Sequence, residues 1–382
     1  MGKKKTIKSK ESSKASGHSI QLQIIFCFIL FGSIVAILSL TFFQAQGWLI
    51  PSQPEIQMPA YFGEGAERIN TIRLSDLTLE QKIAQMIIVH GGLWNLEPWK
   101  RMQVGGVHIF ALEKEELFKE TINEFQTGMS IPFLISVDLE GCKNPFANFK
   151  DFPAASMISN EQEALEKGVN EGTYLAWLGI SLNFAPVVDL EDQIWKCRSF
   201  PGNESTISNL ASAYIFGLQS EGVLATAKHY PGRTLVIGDP HRQLVTAAIS
   251  AADIYPYLAL SNQTKGVMVS HIIVSGAVDS EGKPAVVSKK IMDSLKEQYS
   301  GLIISDEVNM LGLKNFYSNT DQMYLDLFKA GNDIILNFNE DPQDTHRMIQ
   351  LIKKAVENGE ISLKQIDNSV KKILEAKGFV VE

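Results

Sequence analysis

Phe133-Leu134-Ile135-Ser136-Val137-Asp138 is a short, almost wholly apolar run that ends on a carboxylate. A run like this fits a strand buried on both faces, because a half-exposed strand would alternate polar and apolar positions. Similar runs recur at residues 86–89, 106–110, 182–190, 225–230, 266–271, 302–306 and 333–338. Longer segments of helical period lie between them. Thr78-Leu79-Glu80-Gln81 and Ser159-Asn160-Glu161-Gln162 both have the Ser/Thr-x-x-Gln form of a capping box. Gly331 follows a helix-like run ending near Ala330, as a C-terminal cap should. Residues 341–358 and 362–377 read as amphipathic helices. Strands that are nearly continuously apolar and alternate with helices imply a parallel sheet covered by helices. Eight of them predict an α/β fold, a (β/α)8 TIM barrel spanning residues 71–382. That is somewhat longer than the usual ~250 residues and leaves room for extended loops. The alternative is a doubly wound open sheet. It would usually place a G-x-G-x-x-G turn after its first strand, where this chain has only Gly91-Gly92.

Upstream of the barrel the composition changes. Lys3, Lys4, Lys5, Lys8, Lys10 and Lys14 face only Glu11 in residues 1–20, a basic cytoplasmic tail. Residues 24–43 carry no charge, enough to span a bilayer at ~20 residues. We therefore expect one transmembrane anchor within residues 21–45, a stalk over 46–70, and the barrel outside the cytoplasm, because lysines before the span mark the inner side. A cleaved signal peptide is the alternative. Its apolar stretch would be ~7–15 residues with a small-x-small exit, whereas this exit reads Phe43-Gln44-Ala45-Gln46. The expected location is a cytoplasmic membrane, single-pass, with the catalytic part periplasmic or extracellular. The formal net charge of −8, with the lysines concentrated in the tail, argues against nucleic acid as a partner of the main domain.

In a barrel of this kind the active site forms at the C-terminal ends of the strands. Asp138, Asp189, Lys228 with His229, His271 and Asp306 all close apolar runs, and Arg198, Asp239 and His241 follow in loops. An unpaired charge at the end of an apolar strand is costly. Each of these could be half of a structural ion pair; their convergence on one rim points to a site.

The sequence resembles family-3 glycoside hydrolases, in particular the single-domain β-N-acetylglucosaminidase (β-N-acetylhexosaminidase) branch. The motifs are LTLEQKIAQM from Leu77, VDLEG from Val137, LNFAPVVDL from Leu182, RSF from Arg198, ATAKHYPG from Ala225, GDPH from Gly238, ISDEVNM from Ile304 and AGNDIIL from Ala330. The resemblance implies exo-hydrolysis of terminal β-linked N-acetylglucosamine with retention, the sugar coming from peptidoglycan fragments. Asp306 would be the nucleophile, a carboxylate able to form and release a glycosyl ester. His241 would be the general acid/base, since histidine titrates near neutrality. Asp239 would orient its ring. Asp138, Arg198, Lys228 and His229 match sugar-binding positions. No cofactor or metal is implied; the partners are a β-GlcNAc glycoside or muropeptide and, through the N-terminal helix, the membrane. The alternatives are another family-3 β-glycosidase, β-glucosidase-like, or a catalytically impaired glycan-binding envelope protein.

The chain departs from the family pattern in several places. The usual arginine-bearing segment after the Asp-x-Glu-Gly motif is replaced by Cys142-Lys143-Asn144-Pro145-Phe146. Arg233 stands where the family commonly has histidine after Pro-Gly, Pro240 replaces the serine between Asp and His, and Glu307 replaces a second aspartate. Cys142 and Cys197 follow the third and fourth strands, neighbours in a barrel, on the expected rim. Outside the cytoplasm they can bridge and brace two substrate-binding loops; otherwise they are two buried thiols. Cys27 lies in the apolar span. His108 and His271 would be candidate ligands only in a barrel metallohydrolase, and the chain lacks His-x-His and His-Glu-x-x-His. Asp189 reads as a structural partner for a rim cation, His90 as a rim or core residue, and His346 as solvated. Trp94, Trp99 and Trp195 read as sugar platforms or loop packing. Asn203 and Asn262 sit in glycosylation-type tripeptides.

Overall fold

The computed structural model describes residues 71–190, 194–233 and 238–382. The expected tail, anchor and stalk lie outside them. Among the described residues no helix is long and apolar enough to cross a membrane.

Eight parallel strands close a barrel: β1 Ile87–His90, β2 Gly106–His108, β3 Leu134–Val137, β4 Leu182–Asn183, β5 Leu224–Tyr230, β6 Gly266–Val269, β7 Leu302–Glu307 and β8 Ile334–Asn337. Each pairs with its sequence neighbour, and β8 closes on β1 through Ile335↔Ile87 and Asn337↔Val89. Every expected apolar run holds one strand. The run at 182–190 yields only two strand residues. Pro186 has no N–H to give the ladder, so the chain continues irregularly, with the carbonyls of Ala185 and Pro186 accepting from Thr226 and Lys228 at 2.9 and 3.1 Å.

The helices are α1 Leu79–Gln85, α2 Leu96–Met102, α3 Glu115–Gln126, α4 Glu161–Leu178, α5 Glu204–Ser220, α6 Ala251–Ala259, α7 Lys289–Lys296, α8 Thr320–Ala330, α9 Pro342–Glu357 and α10 Leu363–Ala376. Thr78 and Gln81 form the expected capping box at α1. At α4 the cap lies one residue later than the Ser159-x-x-Gln162 reading. Asn160 accepts from the Glu163 N–H at 3.0 Å, and the Glu163 carboxylate returns to the Ser159 N–H at 2.8 Å. Asparagine is as good a cap as serine, and here the carboxylate three residues on completes it. Gly331 caps α8 in the left-handed conformation, φ 89°. Asn203, read as a possible glycan acceptor, caps α5 with its side chain.

The strands are buried on both faces, and the polar side chains within them are used as ties. Asn183 on β4 accepts from the Leu139 N–H and donates to the Leu139 carbonyl, both at 2.9 Å, which pins the turn after β3. Behind it Tyr214 of α5 accepts from Asn183 at 3.1 Å and donates to Glu171 of α4 at 2.7 Å, and Lys167 pairs with the same carboxylate. Both helices are thereby locked to the strand that carries the site. Two small parallel sheets lie outside the barrel: Thr71–Ile72 with Val380–Val381, and Thr246–Ile249 with Ile273–Gly276.

Candidate active site

The C-terminal ends of β3, β4 and β5 converge on one ionic network. Lys228 donates to Asp138 Oδ1 and to Glu140 Oε1, each at 2.6 Å. Arg198 binds Glu140 through two nitrogens, at 2.5 and 2.9 Å. Two parallel bonds of this kind fix a guanidinium in direction as well as in place. Gly141 permits the turn that points Glu140 inward: it adopts φ 99°, and a Cβ there would collide with the Pro153 carbonyl. Burial alone would raise the Asp138 carboxyl, but Lys143 and Lys228 hold it well below its ordinary value. For Glu140 the same opposition to burial comes from Lys228 and Arg198.

His229 completes this wall. Its Nδ1 lies 2.7 Å from Asp189 Oδ2, and Arg198 Nη2 lies 3.4 Å from its Nε2. An arginine can only donate, so Nε2 is the acceptor and Nδ1 carries the proton toward Asp189. Burial, together with Arg233, Arg198 and Lys228, pushes the imidazole well below its usual titration range. It is neutral, and Asp189 is its positioning partner.

Asp306 ends β7 almost fully buried. Its Oδ1 accepts from the Glu307 N–H at 2.9 Å and its Oδ2 from Arg233 Nη2 at 3.1 Å. Burial would raise this carboxyl, but His271, Arg233 and His241 hold it below its ordinary value. His271, from the end of β6, donates Nε2–H to the Glu307 carbonyl at 2.7 Å, and burial lowers its own titration.

The acid/base pair stands apart from the network. His241 Nδ1 lies 2.7 Å from Asp239 Oδ1, which also accepts the His241 N–H at 2.9 Å. Nε2 is therefore the nitrogen left for a substrate. The His241 side chain is 42 % exposed, against 0 % for Glu140. Trp195 packs edge-on against the His241 ring at 5.2 Å, and its face lies 4.9 Å from the Arg198 guanidinium. Two backbone bonds dock the loop to the helical turn Leu311–Lys314: Gly312 N–H to the Pro240 carbonyl at 3.0 Å, and Leu311 N–H to the His241 carbonyl at 3.3 Å. A Cβ at Gly312 would strike the Pro240 carbonyl.

Both halves open into one cavity of about 350 Å³, lined on one side by Asp138, Lys143, Arg198, Lys228 and His229 and on the other by His241, Asp306 and Glu307. Its remaining wall is apolar, with Phe110, Phe184 and Phe338. Size and lining suit a small polar ligand with one apolar face.

Residues 78–376 match the family model described as the glycosyl hydrolase family 3 N terminal domain. The chain belongs to this family. It is a glycoside hydrolase. Among its relatives is "Beta-hexosaminidase LpqI" of Mycobacterium tuberculosis, 27 % identical over 331 residues that cover 79 % of this chain and 83 % of the relative. The beta-hexosaminidase of Idiomarina loihiensis is 30 % identical over 244 residues, 59 % of this chain and 73 % of its own. Among solved structures, a family-3 glycosyl hydrolase from Mycobacterium smegmatis superposes with a TM-score of 0.73 at 25 % identity, covering 80 % of this chain and 98 % of that one. A family-3 β-N-acetylglucosaminidase from Paenibacillus gives 0.70 at 26 %, covering 79 % and 62 %.

Against the family pattern, three residues that the sequence reading left out of the site belong to it. Glu140 was within the quoted VDLEG motif, but nothing local says that it, two positions past Asp138, binds both Arg198 and Lys228. Lys143 lies 3.4 Å from Asp138 in the segment that lacks the family's arginine, and supplies a cation there. Arg233 departs from the family pattern, and its contact with Asp306 joins positions 73 residues apart. Cys142 and Cys197 form a disulfide with Cα atoms 6.0 Å apart, next in sequence to Lys143 and Arg198.

The remaining residues take structural places. His108 is buried and stacked between Phe184 and Phe338, with Nδ1 3.1 Å from Ser136 Oγ and its titration lowered by burial to about 4. Trp99 is fully buried and donates to the His90 carbonyl at 3.1 Å, which makes it packing and not a platform. Trp94 is 65 % exposed and leans on His90 at the rim.

Proposed function

We propose that the chain is a retaining exo-β-N-acetylglucosaminidase that removes terminal β-linked N-acetylglucosamine from peptidoglycan fragments. The observation that carries this reading is that Asp306 and His241, the latter paired with Asp239, line one cavity together with a fixed set of charged hydrogen-bonding groups. The names of the relatives support the acetamido sugar.

In this mechanism Asp138, Arg198, Lys228, His229 and Lys143 hold the sugar hydroxyls and orient the ring. Asp306 attacks the anomeric carbon while the departing oxygen takes a proton from His241 Nε2. Water then attacks the same carbon, its proton passes to His241, and the ester to Asp306 breaks. Asp239 holds the imidazole in the needed tautomer and stabilises its charged form.

The location is part of the proposal. Residues 24–43 form a single-pass anchor with the lysine tail inside, and the barrel stands outside the cytoplasmic membrane. The Cys142–Cys197 bridge supports this, because disulfides persist in oxidising compartments.

The test is hydrolysis of a chromogenic β-N-acetylglucosaminide by the full-length chain in detergent, beside its Asp306→Ala variant. We expect turnover in the first and a loss of about 10³-fold or more in the second. Turnover of a β-glucoside instead, equally lost in the variant, would move the specificity and keep the chemistry. Binding of a glycan by folded protein without turnover of either would favour the impaired, glycan-binding alternative.

A further inference from the structure

We propose that Arg233 is a positioning residue for the nucleophile: it clamps Asp306 as a free carboxylate and so favours breakdown of the glycosyl ester over its formation. This rests on the hydrolase reading above.

Arg233 follows Pro231-Gly232 at the end of β5, where the family commonly has histidine. It is buried, and it reaches Asp306 Oδ2 at 3.1 Å without itself lining the cavity. Among the described residues its Nε finds no hydrogen-bond partner, and Asp306 is the carboxylate that Arg233 pairs with.

The other groups facing Asp306 do not supply a fixed charge. His271 from β6 attracts Asp306 when protonated, but its Nε2 proton is committed to the Glu307 carbonyl and burial lowers its titration, so its charge is not permanent. His241 gains and loses its proton during turnover. Lys143 is turned to Asp138. Burial raises the carboxyl of the adjacent Glu307. An arginine keeps its charge at every relevant pH.

The consequence follows from the electron count. In the first step an Asp306 oxygen bonds to the anomeric carbon, the bond to the leaving oxygen breaks, and that oxygen takes the His241 proton. The carboxylate charge is consumed, and a buried guanidinium is left without its counter-charge, which is costly. In the second step a water oxygen bonds to the carbon, its proton goes to His241, and the pair from the breaking ester bond returns to Asp306. Arg233 regains its partner. The clamp therefore opposes the first step and assists the second.

The experiment compares the full-length chain with Arg233→Gln, Arg233→Met and Arg233→Lys. Carboxyl 13C NMR of aspartate-labelled protein, with Asp306 assigned through Asp306→Asn, needs no turnover. We expect Asp306 to titrate about one pH unit higher in the Gln and Met variants, a tenfold change in proton affinity, with Lys restoring it. During turnover of the aryl glycoside, the acid limb of kcat/KM should rise with it. Acid-quenched samples should hold a larger fraction of glycosyl ester on Asp306. An Asp306 titration unchanged in a folded Gln or Met variant, or a smaller ester fraction, would overturn the proposal. Full activity in Asp306→Ala would instead remove Asp306 as the nucleophile, and absence of turnover in the unaltered chain would overturn the hydrolase reading, which keeps these failures apart from failure of the clamp.

Discussion

The two walls of the cavity are built by opposite means. On the sugar-holding side, Glu140, Arg198, Lys228 and His229 are buried and Asp138 is half-buried, and all are held by one another and by Asp189 before any ligand arrives. On the acid/base side, His241 is 42 % exposed and, among the described residues, held by one carboxylate, one tryptophan edge and the two backbone bonds of its loop. The first wall resists displacement because moving any member strands a buried charge. The second can shift at the cost of a few weak contacts. A group that must donate to a departing oxygen and then accept from water gains from that freedom, whereas groups that orient a ring gain from rigidity.

The largest effect that separates the walls is expected from His241→Ala. The side chain is exposed, so the melting temperature should stay within a degree or two. Turnover of substrates with poor leaving groups should fall by about 10²–10⁴-fold, while glycan binding persists. A folded variant with unchanged turnover would remove His241 from the mechanism.

Glu140→Ala should do the reverse. It leaves Arg198 and Lys228 buried without a shared counter-charge, and breaking such a pair costs about 3–5 kcal/mol. Thermal unfolding should show a large drop in stability together with loss of sugar affinity. A small drop would mean that water replaces the carboxylate and that the wall is less closed than its contacts imply.

The smallest effect is the pH response of stability, which belongs to the buried wall and the barrel interior. His108, His229 and His271 are held below the ordinary histidine value of 6.5, chiefly by burial. As pH falls through 6.5 the unfolded chain takes up protons that the folded chain refuses, so stability falls by about 1.4 kcal/mol per pH unit for each such histidine. For His108 the window extends down to about 4. The depressed carboxyls of Asp138, Glu140 and Asp306 act in the same direction at still lower pH. A melting temperature that is flat from pH 7 to 5 would contradict the neutral assignment of these rings.

Much of this was legible in the sequence. A strand buried on both faces leaves a continuous apolar run, so all eight barrel strands could be located, and barrel order then places the charges that end them on one rim. What local reading could not supply was pairing across that rim. Glu140 turns inward only because Gly141 and the Asn183 tie shape the turn. Arg233 meets Asp306 across β6, over 73 residues of chain. Lys143 reaches Asp138 from a segment with no motif to mark it. The shortened β4 follows from Pro186, whose effect on the ladder depends on which neighbour the strand finds. The cap of α4 slipped by one residue because two adjacent side chains could each serve.

The docking of the acid/base loop on Gly312 has a consequence for how this enzyme tolerates change. Both bonds run between main-chain groups, so they are blind to side chains. Residues flanking His241 can be exchanged for others without loosening the dock, as Pro240 in place of serine illustrates. The requirement has been moved onto a glycine in another loop. In a saturation library an intolerant position should therefore be 312, some seventy residues from the histidine it serves, while the stretch nearest the histidine, Asp239 excepted, accepts variety.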